Sequence, residues 1–203
     1  MIILIIIAGY LLGSIPFGLL LTKVAGLGDI RSIGSGNIGA TNVLRTGKKG
    51  LALLTLLLDG AKGAAAVLLA TILSPDYALI AGSAALLGHV FPAWLKFKGG
   101  KGVATMAGVV AASAWPVGIA SVVTWVLVAA LSRYSSFAAL VSLVVVPVYA
   151  CLLAPQNTQL PWFLTAMSLL VIWKHKANIQ RLISGAEPKI GTKQKPDEST
   201  SRQ

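Results

Sequence analysis

The chain has 203 residues, of which 56% are hydrophobic and only 11% charged. Its mean hydropathy is +0.80. A soluble domain carries about 25% charged residues, so half of the usual aqueous coat is missing and the chain reads as an integral membrane protein.

The net charge of +11 raises the question of nucleic acid. Apart from Lys62, however, the cations fall in four polar stretches between apolar runs, at residues 23–49, 96–101, 133 and 174–202. The intervening loops around residues 74–76, 113–115 and 155–161 hold no Lys or Arg. Strict alternation of this kind is what the positive-inside rule produces in a polytopic protein. The basicity reports orientation first and anionic substrates or headgroups second, which argues against nucleic acid as a partner. Cys151 is the one cysteine, so an intramolecular disulfide and a thiolate metal cluster are both excluded.

The spans follow in chain order, at about 20 apolar residues each. Residues 1–18 lack a basic region ahead of their apolar core, which argues against a cleaved signal peptide. With Lys23 and Arg31 following, residues 2–22 read as a retained helix with its N-terminus outside, kinked near Pro16. Next comes SIGSGNIGATNVLRTG, residues 32–47, with a short helix expected within 38–46. Its glycines, Ser35, Asn37, Thr41 and Asn42 offer backbone N–H groups and short donors, and Arg45 adds a fixed charge. That chemistry suits a phosphate, although composition alone also fits a linker between two membrane helices.

The second span, 51–73, carries Asp59 and Lys62 three residues apart and so on one helical face. Charges at membrane depth face a bundle interior or a wet cavity. They serve here either as a packing pair or as part of a polar site. The third span, 77–93, has small residues and His89 near its end. LKFKGGKGVAT follows at 95–105. It lacks the nucleotide P-loop spacing, yet it sets Gly99, Gly100 and Gly102 around Lys101 just before a helix, an arrangement suited to a phosphate. A plain basic loop is the competing reading.

Residues 103–112 and 116–131 read as two spans divided near Pro116, because only two return Arg133 to the side of the other cations. The sixth span is 137–153 and the seventh 160–173. The five tryptophans (94, 115, 125, 162 and 173) mostly fall near span ends, as interfacial anchors do. A basic amphipathic helix is expected over 174–184, ending at Gly185, with His175 and Asn178 on one face. The fold class is all-α: seven transmembrane helices, N-terminus outside, C-terminus cytoplasmic. Residues 1–191 form one membrane domain, and 192–203 are a polar tail with the composition of disorder.

Carboxylates are scarce. Asp29, Asp59, Asp76, Glu187, Asp197 and Glu198 are all there are, and their spacing builds no metal cage. No GxSxG elbow appears. What remains is three polar clusters on the cytoplasmic side, which together suit phosphorylated, lipid-soluble substrates. A transporter or scramblase for such molecules is the alternative, but it calls for polar clusters on both sides or at the midplane.

Three segments carry a family resemblance: SGNIGATNVLRTGKKG at 35–50, GHVFPAWLKFKGGKGVAT at 88–105 and KHKANIQRLISGAEPKIG at 174–191. They resemble the three cytoplasmic motifs of the bacterial acyl-phosphate:glycerol-3-phosphate acyltransferases. The length, the seven-span layout and the LDxxKG pattern at 58–63 are also similar. The resemblance implies a protein of the bacterial cytoplasmic membrane that transfers a fatty acyl group from acyl phosphate to the 1-hydroxyl of sn-glycerol 3-phosphate. The products are lysophosphatidic acid and phosphate, and no cofactor or metal is implied.

It further implies that Ser35 and Arg45 are the essential pair of the first motif. Gly99, Gly100, Gly102 and Lys101 would hold the glycerol phosphate, and His175 with Asn178 would be the functional pair of the third motif. Glu187, like Asp59, is expected to be a structural support. Arg45, Lys101 and Lys62 are expected to offset the repulsion of two phosphates. Backbone N–H groups across Gly36–Thr41 are expected to meet the oxyanion, and Gly36, Asn37, Gly39, Thr41 and Asn42 to contribute to binding of substrate or phosphate. Ala139 departs from relatives that have serine there. For the base, a substrate phosphate is the leading expectation because no well-placed carboxylate is visible, with His175 as its rival.

Overall fold

A computed structural model describes residues 1–192 of the chain. Ten α-helices occur among them, α1 Ile2–Gly13, α2 Phe17–Val24, α3 Ala40–Leu44, α4 Lys49–Leu73, α5 Ala78–Val90, α6 Val103–Ser113, α7 Trp115–Ser132, α8 Ser135–Leu153, α9 Leu160–Lys174 and α10 Lys176–Ile183. No strand occurs among the described residues. The tail expected at 192–203 lies, apart from Thr192, outside them.

Five segments are long and apolar enough to cross a bilayer: Ile2–Val24, Lys49–Leu73, Pro75–Leu95, Trp115–Ser132 and Ser135–Leu153. The apolar helices Val103–Ser113 and Leu160–Lys174 are shorter. The first span is two helices, α1 and α2, parted at Ser14–Pro16. Pro16 cannot donate to the helical ladder, and the break frees carbonyls that other side chains must then satisfy.

Large side chains point outward and small ones inward. Leu53, Leu57, Leu68, Leu69 and Ile72 of α4 are exposed, whereas Ala52, Gly63, Ala66 and Ala70 are buried. Lipid tails and leucines are equally apolar, so helices in a membrane associate by close backbone approach. Glycines supply that approach here. A Cβ on Gly13 would run into the Ala85 backbone of α5, and one on Gly108 would run into Gly60 of α4. The larger core side chains (Leu86, Val90, Met106, Val110, Leu143, Leu160, Leu164 and Val171) gather between α5, α6, α8 and α9.

Helix length sets the depth of the site. Helices α6 and α7 join through Ala114 alone and pack together where Gly118 meets Ala111. At 1.5 Å per residue, the 11 residues of α6 rise about 16 Å and the 18 of α7 about 27 Å. The loop that enters α6, with Lys101, therefore stops about 10 Å short of the level where α7 ends.

Every basic loop among the described residues converges at this end of the bundle. Thr41 meets Ser135 at 3.0 Å, Lys101 meets Asn178, and the Ile190 N–H donates to the Arg133 carbonyl at 2.7 Å.

Candidate active site

Three walls surround a cavity of about 620 Å³. The loop around α3 supplies Ser35, Asn37, Gly39, Thr41, Asn42 and Arg45. The entry to α6 supplies Lys101 and Gly102, and the α9–α10 corner with its following strap supplies His175, Asn178 and Glu187. Below this polar mouth the cavity continues as an apolar cleft between α4, α6, α7 and α8, lined among others by Leu57, Ala64, Ala107, Val110, Ala111, Val122 and Val126. Leu57, Val122 and Val126 are also about half exposed on the outer surface of the bundle, so the cleft opens sideways to the bilayer.

The first wall is built around Asn42, which is fully buried. Its amide donates to the carbonyls of Ile30 and Ile33, each at 2.9 Å. Its Oδ1 accepts from the Ser35 N–H at 3.1 Å and from Arg45 Nη1 at 3.2 Å. Two donors and two lone pairs are all that an asparagine side chain has. Asn42 is therefore the tie that fixes Ser35 and Arg45. With its side chain so engaged and its own N–H donating to the Gly39 carbonyl at 2.9 Å, it has no donor left for a ligand, which corrects its expected role in binding. Gly34 follows from the same packing. Its φ is +60°, and a Cβ there would collide with Asn42 Oδ1 and Arg45. The guanidinium of Arg45 is held below its ordinary pKa by burial, partly offset by Glu187, and stays charged.

Gly102 caps the second wall with φ +95°. The Lys101 ammonium donates to Asn178 Oδ1. Burial pulls its pKa down from 10.5 to about 8, against the pull of Glu187 and with the push of Arg181 and Arg45.

The third wall rests on Glu187. Its Oε1 accepts from Ser136 Oγ at 2.7 Å and from Asn178 Nδ2 at 2.6 Å, and its Oε2 accepts from Arg181 Nε at 2.7 Å. Burial pushes the carboxyl up, but the hydrogen bonds from Ser136, Asn178 and Arg181 outweigh it and hold the group below the usual carboxylate range. A carboxylate so engaged orients Asn178 and is a poor proton acceptor.

His175 ends α9, with Nδ1 at 2.7 Å from the Val171 carbonyl. A carbonyl can only accept, so Nδ1 carries the proton and Nε2 presents a lone pair. Burial brings the imidazole down to about 4, with Lys101 adding to the effect and the Val171 hydrogen bond opposing it. The ring is neutral at physiological pH.

Four expected binding residues lie off the cavity wall. Lys62 is on the opposite side of α4 from Gly60 and Ala64, two residues being 200° apart on a helix. Its ammonium is 2.8 Å from Asp59 Oδ1 and donates to the Ile15 carbonyl at 2.7 Å, capping the break between α1 and α2. Its expected role in phosphate binding is corrected accordingly. Gly99 and Gly100 do not line the cavity. They fold back on the end of α5, with N–H groups donating to Val90 O and His89 O. Gly36, at φ +68°, turns the loop behind Ser35.

Two contributors were missed from the sequence. Ser136 anchors Glu187 directly, and Ser135 meets Thr41. The RYSS run at residues 133–136, polar and on the basic side of the chain, was the available signal. Ala139, where some relatives are expected to carry serine, lines the cavity.

Fold and site define the class, an all-helical integral membrane protein in which cationic loops close over an apolar cleft. The model of one family, glycerol-3-phosphate acyltransferase, matches residues 3–185. Among named relatives, the glycerol-3-phosphate acyltransferase of Mesorhizobium japonicum is 59% identical over 192 residues, covering 94% of this chain and 97% of that protein. The protein of the same name from Paramagnetospirillum magneticum is 57% identical, covering 94% of each chain. Two solved structures of PlsY (YgiH), an integral membrane glycerol 3-phosphate acyltransferase, share the fold. The glycerol 3-phosphate form is 36% identical with a TM-score of 0.88, and the lysophosphatidic acid form is 34% identical with a TM-score of 0.86. Each comparison covers 94% of this chain and 96% of the other. The chain belongs to the glycerol-3-phosphate acyltransferase family.

Proposed function

We propose that this protein acylates the 1-hydroxyl of sn-glycerol 3-phosphate with acyl phosphate as donor, at the cytoplasmic face of a bacterial inner membrane, giving lysophosphatidic acid and inorganic phosphate. Acyl transfer to glycerol 3-phosphate follows from family membership. The donor, the sidedness, and a layout of seven spans with the N-terminus outside are the further reading. The observation that carries it is the composition of this cavity, with Arg45, Lys101 and Lys189 at a polar mouth above an apolar cleft open to lipid. A water-soluble phosphate ester and a membrane-dissolved acyl phosphate meet there without either leaving its own phase. Sidedness rests on the gathering of cations at the mouth. A transporter would need polar groups along a path to the other end, and the cleft below the mouth is predominantly apolar.

In this reading Arg45 and Lys101 neutralise the two substrate phosphates, which would otherwise repel each other. The acyl chain lies along α6 in the cleft, and the carbonyl faces Ser35 and the neighbouring backbone N–H groups. The glycerol hydroxyl oxygen attacks the acyl carbon and a tetrahedral oxyanion forms. The bond from acyl carbon to phosphate oxygen then breaks. The hydroxyl proton leaves with the phosphate, so atoms and charge balance without a cofactor. Two observations support a substrate phosphate as base. Glu187, the carboxylate of the cavity wall, already accepts three hydrogen bonds, and the imidazole of His175 is held near 4, weak for a base at neutral pH. His175 Nε2 accepts or positions a hydroxyl.

Purified protein supplied with acyl phosphate and glycerol 3-phosphate, followed for phosphate and lysophosphatidate together, tests the reading. Stoichiometric release of both is expected. Parallel reactions with acyl-CoA and acyl carrier protein identify the donor, and product from these thioesters but not from acyl phosphate would overturn the donor assignment.

A further inference from the structure

A second buried polar cluster lies outside the cavity wall. Asp59, Lys62 and His89 are each less than 5% exposed. Lys62 is committed to Asp59 and to the Ile15 carbonyl. His89 Nδ1 is 3.7 Å from Asp59 Oδ1, too far for a hydrogen bond, and has no hydrogen-bond partner among the described residues. Burying a polar ring without full pairing costs free energy, so the ring's volume and position call for a separate reason.

Gly100 supplies one. A Cβ added to Gly100 would meet His89 Nε2, Cε1 and Cδ2 and nothing nearer. Nε2 is by far the nearest of the three and its two ring neighbours are about equally farther, so the imidazole presents its Nε2 edge to the main chain at Gly100. On either side the strand of loop is tied to the same helix end, by Gly99 N–H to Val90 O at 3.2 Å and Gly100 N–H to His89 O at 3.1 Å. The next residue is Lys101, whose ammonium reaches Asn178 across the cavity.

The rest of this loop is pinned to the break in the first span. Tyr10 Oη donates to Phe91 O at 2.7 Å, and Trp94 Nε1 donates to Ser14 O at 2.8 Å. The Nε2 edge of His89 is thus the stop against which the last turn before Lys101 rests, and Asp59 faces the opposite, Nδ1 edge of the ring.

We propose that His89 is a positioning residue for Lys101, acting through the contact of its Nε2 edge with Gly100. The inference rests on the reading of Lys101 as a phosphate-holding residue of this site. Its consequence is specific. Disturbing the contact weakens binding of the phosphorylated acceptor while the chemistry of bound substrate proceeds.

The test is a double-mutant cycle between Gly100→Ala and His89→Ala. In the wild-type background Gly100→Ala is expected to raise the KM for glycerol 3-phosphate about tenfold or more, with kcat within about threefold. In the His89→Ala background the ring that obstructs the new methyl group is gone, and the same change is expected to alter KM by less than about twofold. If His89→Ala does not purify as a folded protein, His89→Asn removes Nε2 and Cε1 while keeping a polar atom toward Asp59, and serves in the same cycle.

Binding of radiolabelled glycerol 3-phosphate without donor reads the loss independently of turnover. Equal effects of Gly100→Ala in both backgrounds, or a fall in thermal stability with KM and binding unchanged, would overturn the inference. A wild-type protein that binds glycerol 3-phosphate but makes no product from acyl phosphate would instead refute the donor reading and leave the cycle readable by binding.

Discussion

Lys101 gives the sharpest quantitative prediction. Its ammonium is buried beside Asn178, and the balance of burial, Glu187, Arg181 and Arg45 brings its pKa to about 8. A group titrating at 8 is about 90% charged at pH 7 and about 10% charged at pH 9. If the charge holds a substrate phosphate, kcat/KM falls about tenfold between pH 7 and pH 9, because that parameter reports the ionisation of the free enzyme. The sign is fixed: the active form is the protonated one, so activity is lost as pH rises. Lys101→Arg keeps the charge to far higher pH but forfeits the compact ammonium that fits against Asn178. Its kcat/KM at pH 7 is expected to be lower than that of the wild type, and the alkaline limb should move beyond pH 10. Initial rates of phosphate release, corrected for spontaneous hydrolysis of acyl phosphate, measure both. A flat wild-type profile to pH 9.5, or an alkaline limb unchanged in Lys101→Arg, would refute the assignment of the charge to substrate binding.

Three further outcomes follow from the same geometry. Glu187→Gln replaces one acceptor with an amide that faces the Arg181 Nε–H. The loss is about 1–2 kcal/mol after allowing for the partial exposure of Arg181, or about 2–8 °C in thermal unfolding for a chain of this size. Because the folded carboxyl sits below its ordinary range, its contribution is complete above the unfolded pKa and lost as pH falls through the folded one. The wild-type melting temperature should therefore drop on acidification, and Glu187→Gln should lack that component. Asn42→Ala leaves the Ser35 N–H without its acceptor and takes one of two hydrogen bonds from each of the Ile30 and Ile33 carbonyls, which keep the Ile33 and Gly36 N–H groups. Roughly 1–3 kcal/mol of stability should be lost together with most activity, measured by unfolding in detergent and by phosphate release. In His175→Gln the acid limb of kcat near the second phosphate ionisation, about 6, should persist with reduced rate. Its disappearance along with nearly all activity would make His175 the base.

Much of this protein was legible in one dimension. Apolar runs with cations at alternate ends require a helical membrane bundle, because backbone groups in lipid must pair within their own segment. The expected spans at 51–73, 137–153 and 160–173 differ from α4, α8 and α9 by no more than two residues at either end. The glycine-rich polar stretches were recognisable for the same reason, since nothing apolar explains them. Ser35, Arg45, Lys101, His175 and Asn178 accordingly meet at one cavity.

The division of labour among the polar residues was decided only in three dimensions. Asn42 and Asn178 are equivalent as letters, yet Asn42 has all four hydrogen-bonding positions filled by its own loop while Asn178 links Glu187 to Lys101. Lys62 and Lys101 are both lysines near glycines, and the phase of α4 turns Lys62 away from the cavity to cap a helix break. Ser136 acquires its role from a carboxylate 51 residues later in the chain. Sequence spacing fixes which residue types recur on a helix face. Which face meets a cavity, and which donor is already spent, depend on packing between segments far apart in the chain.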